Sequence, residues 1–100
     1  MKPVLVLDLG AQQADYCRNI PNSFVTAVSL DTDVLIKYKD AVPKARTKFF
    51  VPIEAKHTFD IVVSTLTLDE FSLQEANEYL KPTGMLITLL AETPQLALYE

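Results

Sequence analysis

Glycine is scarce in this chain, with two in 100 residues, Gly10 and Gly84. Glycine is the usual choice where a backbone turns left-handed or lets a ligand come close, so those two positions carry unusual weight. Cysteine occurs once, at Cys17. No intrachain disulfide can form, and the chain fits a reducing, cytoplasmic setting. With His57 the only histidine, three or four soft ligands cannot be assembled, so no metal is expected. Nine Lys+Arg stand against thirteen Asp+Glu, a net charge of −4. That sign argues against nucleic acid or an anionic membrane as the main partner, since both require a basic face. No apolar run approaches the roughly 18 residues that cross a bilayer. Val4–Leu7, ended by Asp8, is too short for the core of a signal peptide. A glycine-rich phosphate loop followed by Lys and Ser or Thr is also missing.

What is present is a globular composition, 49% apolar and 22% charged, without repeats, low-complexity tracts or linkers, which predicts one domain over residues 1–100. Strand and helix patterns alternate. Pro3–Leu7 is a continuous apolar run that suits a strand buried on both faces. Ala11–Asn19 can form a short helix stopped by Pro21. Phe24–Val28 is a second strand, and Asp31 or Thr32 can cap a helix carrying Val34, Leu35, Tyr38 and Val42 at helical spacing before Pro43. Lys48–Val51 and Phe59–Ser64 read as the third and fourth strands. Ser72-Leu73-Gln74-Glu75 is a capping box for a helix that presents Leu73, Ala76 and Leu80 and stops at Lys81-Pro82. Gly84 then permits a turn into a fifth strand, Met85–Leu90. This alternation predicts an α/β fold, a three-layer Rossmann-like sandwich with a mainly parallel sheet of about five strands.

Four segments, in order, carry a resemblance. Val6-Leu7-Asp8-Leu9-Gly10, Val28-Ser29-Leu30-Asp31, Phe59-Asp60-Ile61-Val62-Val63-Ser64 and Tyr79-Leu80-Lys81-Pro82-Thr83-Gly84-Met85 together resemble the class I S-adenosylmethionine-dependent methyltransferases over residues 3 to 91. The resemblance implies S-adenosylmethionine as cofactor. It places Asp8 and Gly10 at the glycine turn, Asp31 at the ribose hydroxyls, Glu54 near the adenine, and Ser64 with Thr65 and Asp69 on the rim after the fourth strand. It assigns no catalytic residue and no methyl acceptor. A second resemblance, of Val4–Gln12 and Leu30-Asp31-Thr32 to class I glutamine amidotransferases, requires a nucleophilic cysteine on a glycine-flanked elbow. Cys17 has no glycine beside it.

The chain also departs from the methyltransferase pattern. Where that family reads acid-x-Gly-x-Gly-x-Gly, this sequence reads Asp8-Leu9-Gly10-Ala11-Gln12-Gln13-Ala14. Ala14 adds one methyl group, whereas Gln12 adds a long side chain where the cofactor would lie. Asp31 sits two positions beyond Ser29, where the family usually has its acid. The family's N-terminal helix and its antiparallel hairpin after the fifth strand have no counterpart, so the resemblance implies a truncated domain. These departures predict a methyltransferase-like domain without catalysis, acting through protein contacts. The alternative is an S-adenosylmethionine-binding enzyme or subunit completed by a partner chain. In the first of these readings the apolar strand 86–90 is a sheet edge available to a second copy or another protein.

Simpler roles accompany these assignments. Asp8 can cap the helix after the turn, Asp31 and Asp33 suit a helix N-terminus, Cys17 is a small packing residue, and His57 is a solvated loop residue.

Overall fold

The computed structural model describes residues 2–51, 55–66 and 73–90, with the side chains of residues 65, 66, 73, 89 and 90 excepted. Its elements in chain order are β1 (Val4–Leu9), α1 (Ala14–Arg18), β2 (Ser23–Val28), α2 (Thr32–Ala41), β3 (Arg46–Lys48), β4 (Phe59–Leu66), α3 (Leu73–Glu78) and β5 (Leu80–Leu90). The strands form one five-stranded sheet in the order β3-β2-β1-β4-β5, and every pairing is parallel. The fold is α/β and Rossmann-like.

Side-chain alternation along the strands sends residues to two separate cores. Val6, Val25, Ala27 and Val63 join Cys17, Leu35 and Tyr38 on the face covered by α1 and α2. Leu7, Leu9, Val28 and Val62 join Ala76 and Leu80 on the face covered by α3. A strand buried on both sides must be apolar at successive positions, which explains the run at the start of the sequence.

Three elements differ from the sequence expectation. α1 begins at Ala14, not Ala11, because Gly10 and Ala11 have φ of 92° and 50°, a left-handed pair that no right-handed helix accommodates. β3 is Arg46–Lys48, earlier than Lys48–Val51. Lys48 lies opposite Val28, the last residue of β2, so the ladder ends there, and Phe49 and Phe50 pass into solvent.

β5 also begins earlier than Met85. Phe59 pairs with Leu80 and Ile61 with Met85, so Lys81–Gly84 bulge from the strand opposite the single residue Asp60. Gly84 therefore lies inside the strand, and α3 ends at Glu78. A Cβ at Gly84 would stand 2.8 Å from Leu80 Cδ2, 3.0 Å from the Asp60 carbonyl oxygen and 3.1 Å from that of Lys81. Close packing of the bulge makes glycine necessary here. Ser72, the start of the capping box, lies outside the described residues, and the Glu75 carboxylate accepts a hydrogen bond from the Tyr79 hydroxyl at 3.0 Å.

Candidate functional site

In a parallel α/β sheet, ligands bind beyond the carboxyl ends of the strands, where neighbouring strands send their chains to opposite faces. Here that point lies between β1 and β4. The chain leaving β1 enters α1 on one face, and the chain leaving β4 leads to α3 on the other. Leu9 pairs with both Val28 and Ser64, which brings the ends of β1, β2 and β4 side by side. Gly10 follows directly, its amide donating to the Val28 carbonyl at 2.8 Å.

Gly10 makes the turn possible. Its φ of 92° is readily adopted by glycine alone. The next residue takes the same hand without that freedom, since Ala11 is buried at φ 50°. Gln12 is exposed. With Ala11, Ala14 and, from α2, Val34, Lys37 and Tyr38, it lines a cavity of about 310 Å³.

Asp8 does not reach the rim. It shares the face of Val6, points beneath α1 and is 0% exposed. Its Oδ2 accepts the Gln13 amide at 3.1 Å and the Cys17 thiol at 3.6 Å, so the carboxyl caps the start of α1 from the strand below. Burial pushes its pKa up to about 6, and the Tyr38 hydroxyl and Gln13 amide oppose only part of that rise. The same burial, with Asp8 as neighbour, pushes the Cys17 thiol up to about 12. The Tyr38 hydroxyl is likewise raised by burial and then by Asp8.

Asp31 lies off the end of β2 as the N-cap of α2, accepting the Asp33 amide at 2.9 Å and the Val34 amide at 3.4 Å through Oδ1. Ser29, where the resemblance places the family's acid, is buried and accepts the Asp31 amide on its hydroxyl at 3.1 Å. The turn into α2 is thus built by local side-chain bonds of the kind Ser and Asp favour at helix starts. Ser64 is buried at the end of β4, on the α3 face. The structure therefore brings Gly10 and Ser64 together at the junction, turns Asp8 away beneath it, and sets Asp31 one strand over. Glu54 and Asp69 lie outside the described residues, and for Thr65 only the backbone is described.

Some roles were not apparent from the sequence. Tyr38 fits the apolar stripe of α2, yet its hydroxyl lies beside Asp8. The signal was a phenol at a helix position that must be buried. His57 is exposed but engaged, since its amide donates to the Glu78 carbonyl at 3.0 Å and its Nδ1 lies 3.0 Å from the Leu80 carbonyl oxygen. With φ of 54°, it ties the loop before β4 to the end of α3. Leu30 and Phe50 are 65% and 75% exposed beyond the ends of β2 and β3. Among the described residues, no three potential ligands gather as a metal site, and no helix is long and apolar enough to cross a membrane.

No protein-family profile matches the sequence, and no curated protein matches it either. Solved structures do match the fold. A protein of Pyrococcus horikoshii OT3 superposes with a TM-score of 0.66 at 20% identity, over 95% of this chain and 52% of its own. A TehB-like S-adenosylmethionine-dependent methyltransferase of Corynebacterium glutamicum gives 0.62 at 20% identity, over 88% and 55%. An S-adenosylmethionine-dependent methyltransferase of Mesorhizobium loti gives 0.64 at 18% identity, over 87% and 46%. The chain thus spans about half the length of these proteins and has the fold of S-adenosylmethionine-dependent methyltransferases. At such identities the likeness concerns the fold, and chemistry must be read from the site.

Proposed function

We propose that this chain is a methyltransferase-fold domain that has lost catalysis and acts through protein contacts. One observation carries the reading. The Asp8 carboxyl, the acid of the turn that should face a cofactor, is enclosed between β1, α1 and α2 and holds the start of α1. Gln12 on the exposed turn adds to it, because it stands where close backbone approach to a nucleotide-like ligand calls for glycine. On this reading the described residues do not fit S-adenosylmethionine in the way the resemblance implies.

The contact surface is the free side of β5. Among the described residues β5 pairs only with β4, so one row of its amides and carbonyls is unmatched, and Met85 is 60% exposed. We assign this edge to a second copy of the chain, because two identical edge strands can pair antiparallel about a two-fold axis. Light scattering at rising concentration should give a dimer, and a proline at Ile87 should return it to monomer. A monomer at every concentration removes this part of the proposal, and a complex with a different protein replaces the second copy by that partner.

A second reading, an S-adenosylmethionine-binding subunit completed by another chain, is favoured by Gly10 and by Asp31 Oδ2, which lies outside the capping bonds. Thermal unfolding with millimolar S-adenosylmethionine separates the two. A ligand at 100 times its Kd adds about 2.7 kcal/mol, or roughly 10 °C or more for a domain of this size. The proposal expects no shift, and a clear shift establishes the second reading in its place.

A further inference from the structure

The face between the sheet and the two helices α1 and α2 is apolar except at one point. There Asp8 from β1, Cys17 from α1 and Tyr38 from α2 meet, with exposures of 0%, 0% and 2%. Two polar atoms in this group have no hydrogen-bond partner, Asp8 Oδ1 and the Tyr38 hydroxyl. The flanking strands offer none, since Asp8 pairs with Ala27 of β2 and Val63 of β4. Lys37 and Lys39, on either side of Tyr38, are exposed, and the α1 charges Asp15 and Arg18 pair with each other at the surface. Among the described residues, the titratable groups facing Asp8 are therefore the Cys17 thiol and the Tyr38 hydroxyl, and no cation balances its charge.

A buried carboxyl without a counter-ion favours its protonated form, and the neighbouring Tyr38 hydroxyl opposes only part of that preference. The other oxygen of this carboxyl holds the Gln13 amide, which closes the turn containing Gly10 and Ala11, both left-handed. A carboxylate grips an amide more strongly than a carboxylic acid does. The charge on Asp8 therefore acts on two things at once, the stability of the helix layer and the hold on the turn.

We propose that Asp8, Tyr38 and Cys17 form a buried proton-binding site that sets how tightly the turn Gly10–Gln13 is held. With the proton bound, the acid donates from Oδ1 to the Tyr38 hydroxyl and relaxes its hold on Gln13. When the proton leaves, the Tyr38 hydroxyl donates to Oδ1 and the Gln13 amide is drawn in. The two states differ in one proton, which solvent supplies and receives, and they do not depend on any ligand at the rim.

The direction follows from the cause. Burial holds the folded pKa at about 6, above the ordinary 3.8, so the site contributes stability below about 4 that is lost as pH rises to about 6. The test is carbon and amide NMR of the whole chain from pH 4 to 8. The Asp8 carboxyl carbon should titrate near 6, and the Gln13 amide proton should shift downfield with the same midpoint. Tyr38→Phe should raise that midpoint. Asp8→Asn should remove the corresponding step from the pH dependence of Tm. An Asp8 carbon titrating near 3.8, or a Gln13 amide that ignores the Asp8 titration, overturns the proposal. Both readings come from the unaltered protein, so the test stands even if a variant fails to fold.

Discussion

The Asp60 carboxylate accepts the Leu5 amide at 2.9 Å through Oδ2, while its Oδ1 lies 3.1 Å from Lys81 Nζ. The ladder between β1 and β4 begins only at Val6 and Ile61, so this side chain provides the bond the ladder does not. The same residue faces the bulge of β5 and thereby ties three neighbouring strands at their amino ends.

The Leu5 amide, with Lys81 second, holds the Asp60 carboxyl below its ordinary range. The lowered folded pKa means that this stabilisation is present at neutral pH and lost as pH falls through the acid range. Asp60→Ala should lower stability by about 1 kcal/mol at pH 7, since the group is partly exposed and solvent-screened. The difference from the unaltered protein should shrink as pH falls below the ordinary carboxylate range in urea titrations. Lys81→Met should cost less, because the amide contributes more than the surface ion pair.

Gly84→Ala should be among the most damaging single-methyl changes in the chain. Two of the three atoms that the new Cβ would meet are backbone carbonyl oxygens of Asp60 and Lys81, and they cannot swing aside as a side chain can. We expect a loss of about 1–3 kcal/mol, the usual result of overpacking, measured as a lower midpoint in urea. A midpoint equal to that of the unaltered protein would mean that the bulge repacks freely.

Much of the fold was legible in the sequence because burial on both faces imposes a strong pattern. The runs Val4–Leu7, Val25–Val28 and Ile61–Val63 could be little else than central parallel strands. Asp31 was legible as a cap because Ser, Thr, Asp and Asn before a helix have a local purpose. The failures share a physical origin in contacts distant along the chain. The end of β3 is set by the end of β2. The bulge at Lys81–Gly84 is set by pairing with β4. The capping role of Asp8 was legible, whereas its neighbour Tyr38, 30 positions away in the sequence, was not. The glycine turn shows both sides. Gly10 announced itself, while the left-handed Ala11 gave no signal, since alanine is a good helix former and the local preference favours α1 starting early.

Cys17 should behave as an unreactive thiol in the native protein. It is fully buried, and its pKa, pushed up to about 12, leaves almost no thiolate at pH 7–8. An aromatic disulfide reagent should therefore label it at the rate at which α1 opens, independent of reagent concentration when the reagent is in excess. Urea should accelerate the reaction in step with unfolding. Rapid labelling proportional to reagent would mean that α1 does not cover the sulfur in solution.

The two glycines missing from the turn can be restored, which separates two ways a cofactor could be excluded. If the Gln12 side chain alone bars the approach, Gln12→Gly with Ala14→Gly should open the rim, and millimolar S-adenosylmethionine should raise Tm. If the buried Asp8 sets the outcome, the restored glycines change little, because that carboxyl is held by the Gln13 amide and the Cys17 thiol beneath α1. Gln12 is exposed, and an exposed side chain can move out of a ligand's path at the loss of only its rotamer freedom. A carboxyl locked in the helix layer can move only if the layer opens. We therefore expect the double variant to be about 1–2 kcal/mol less stable, from added backbone freedom in the turn and the first turn of α1, and to show no ligand shift. A shift of several degrees in that variant would identify Gln12 as the barrier and the remaining turn as competent to bind.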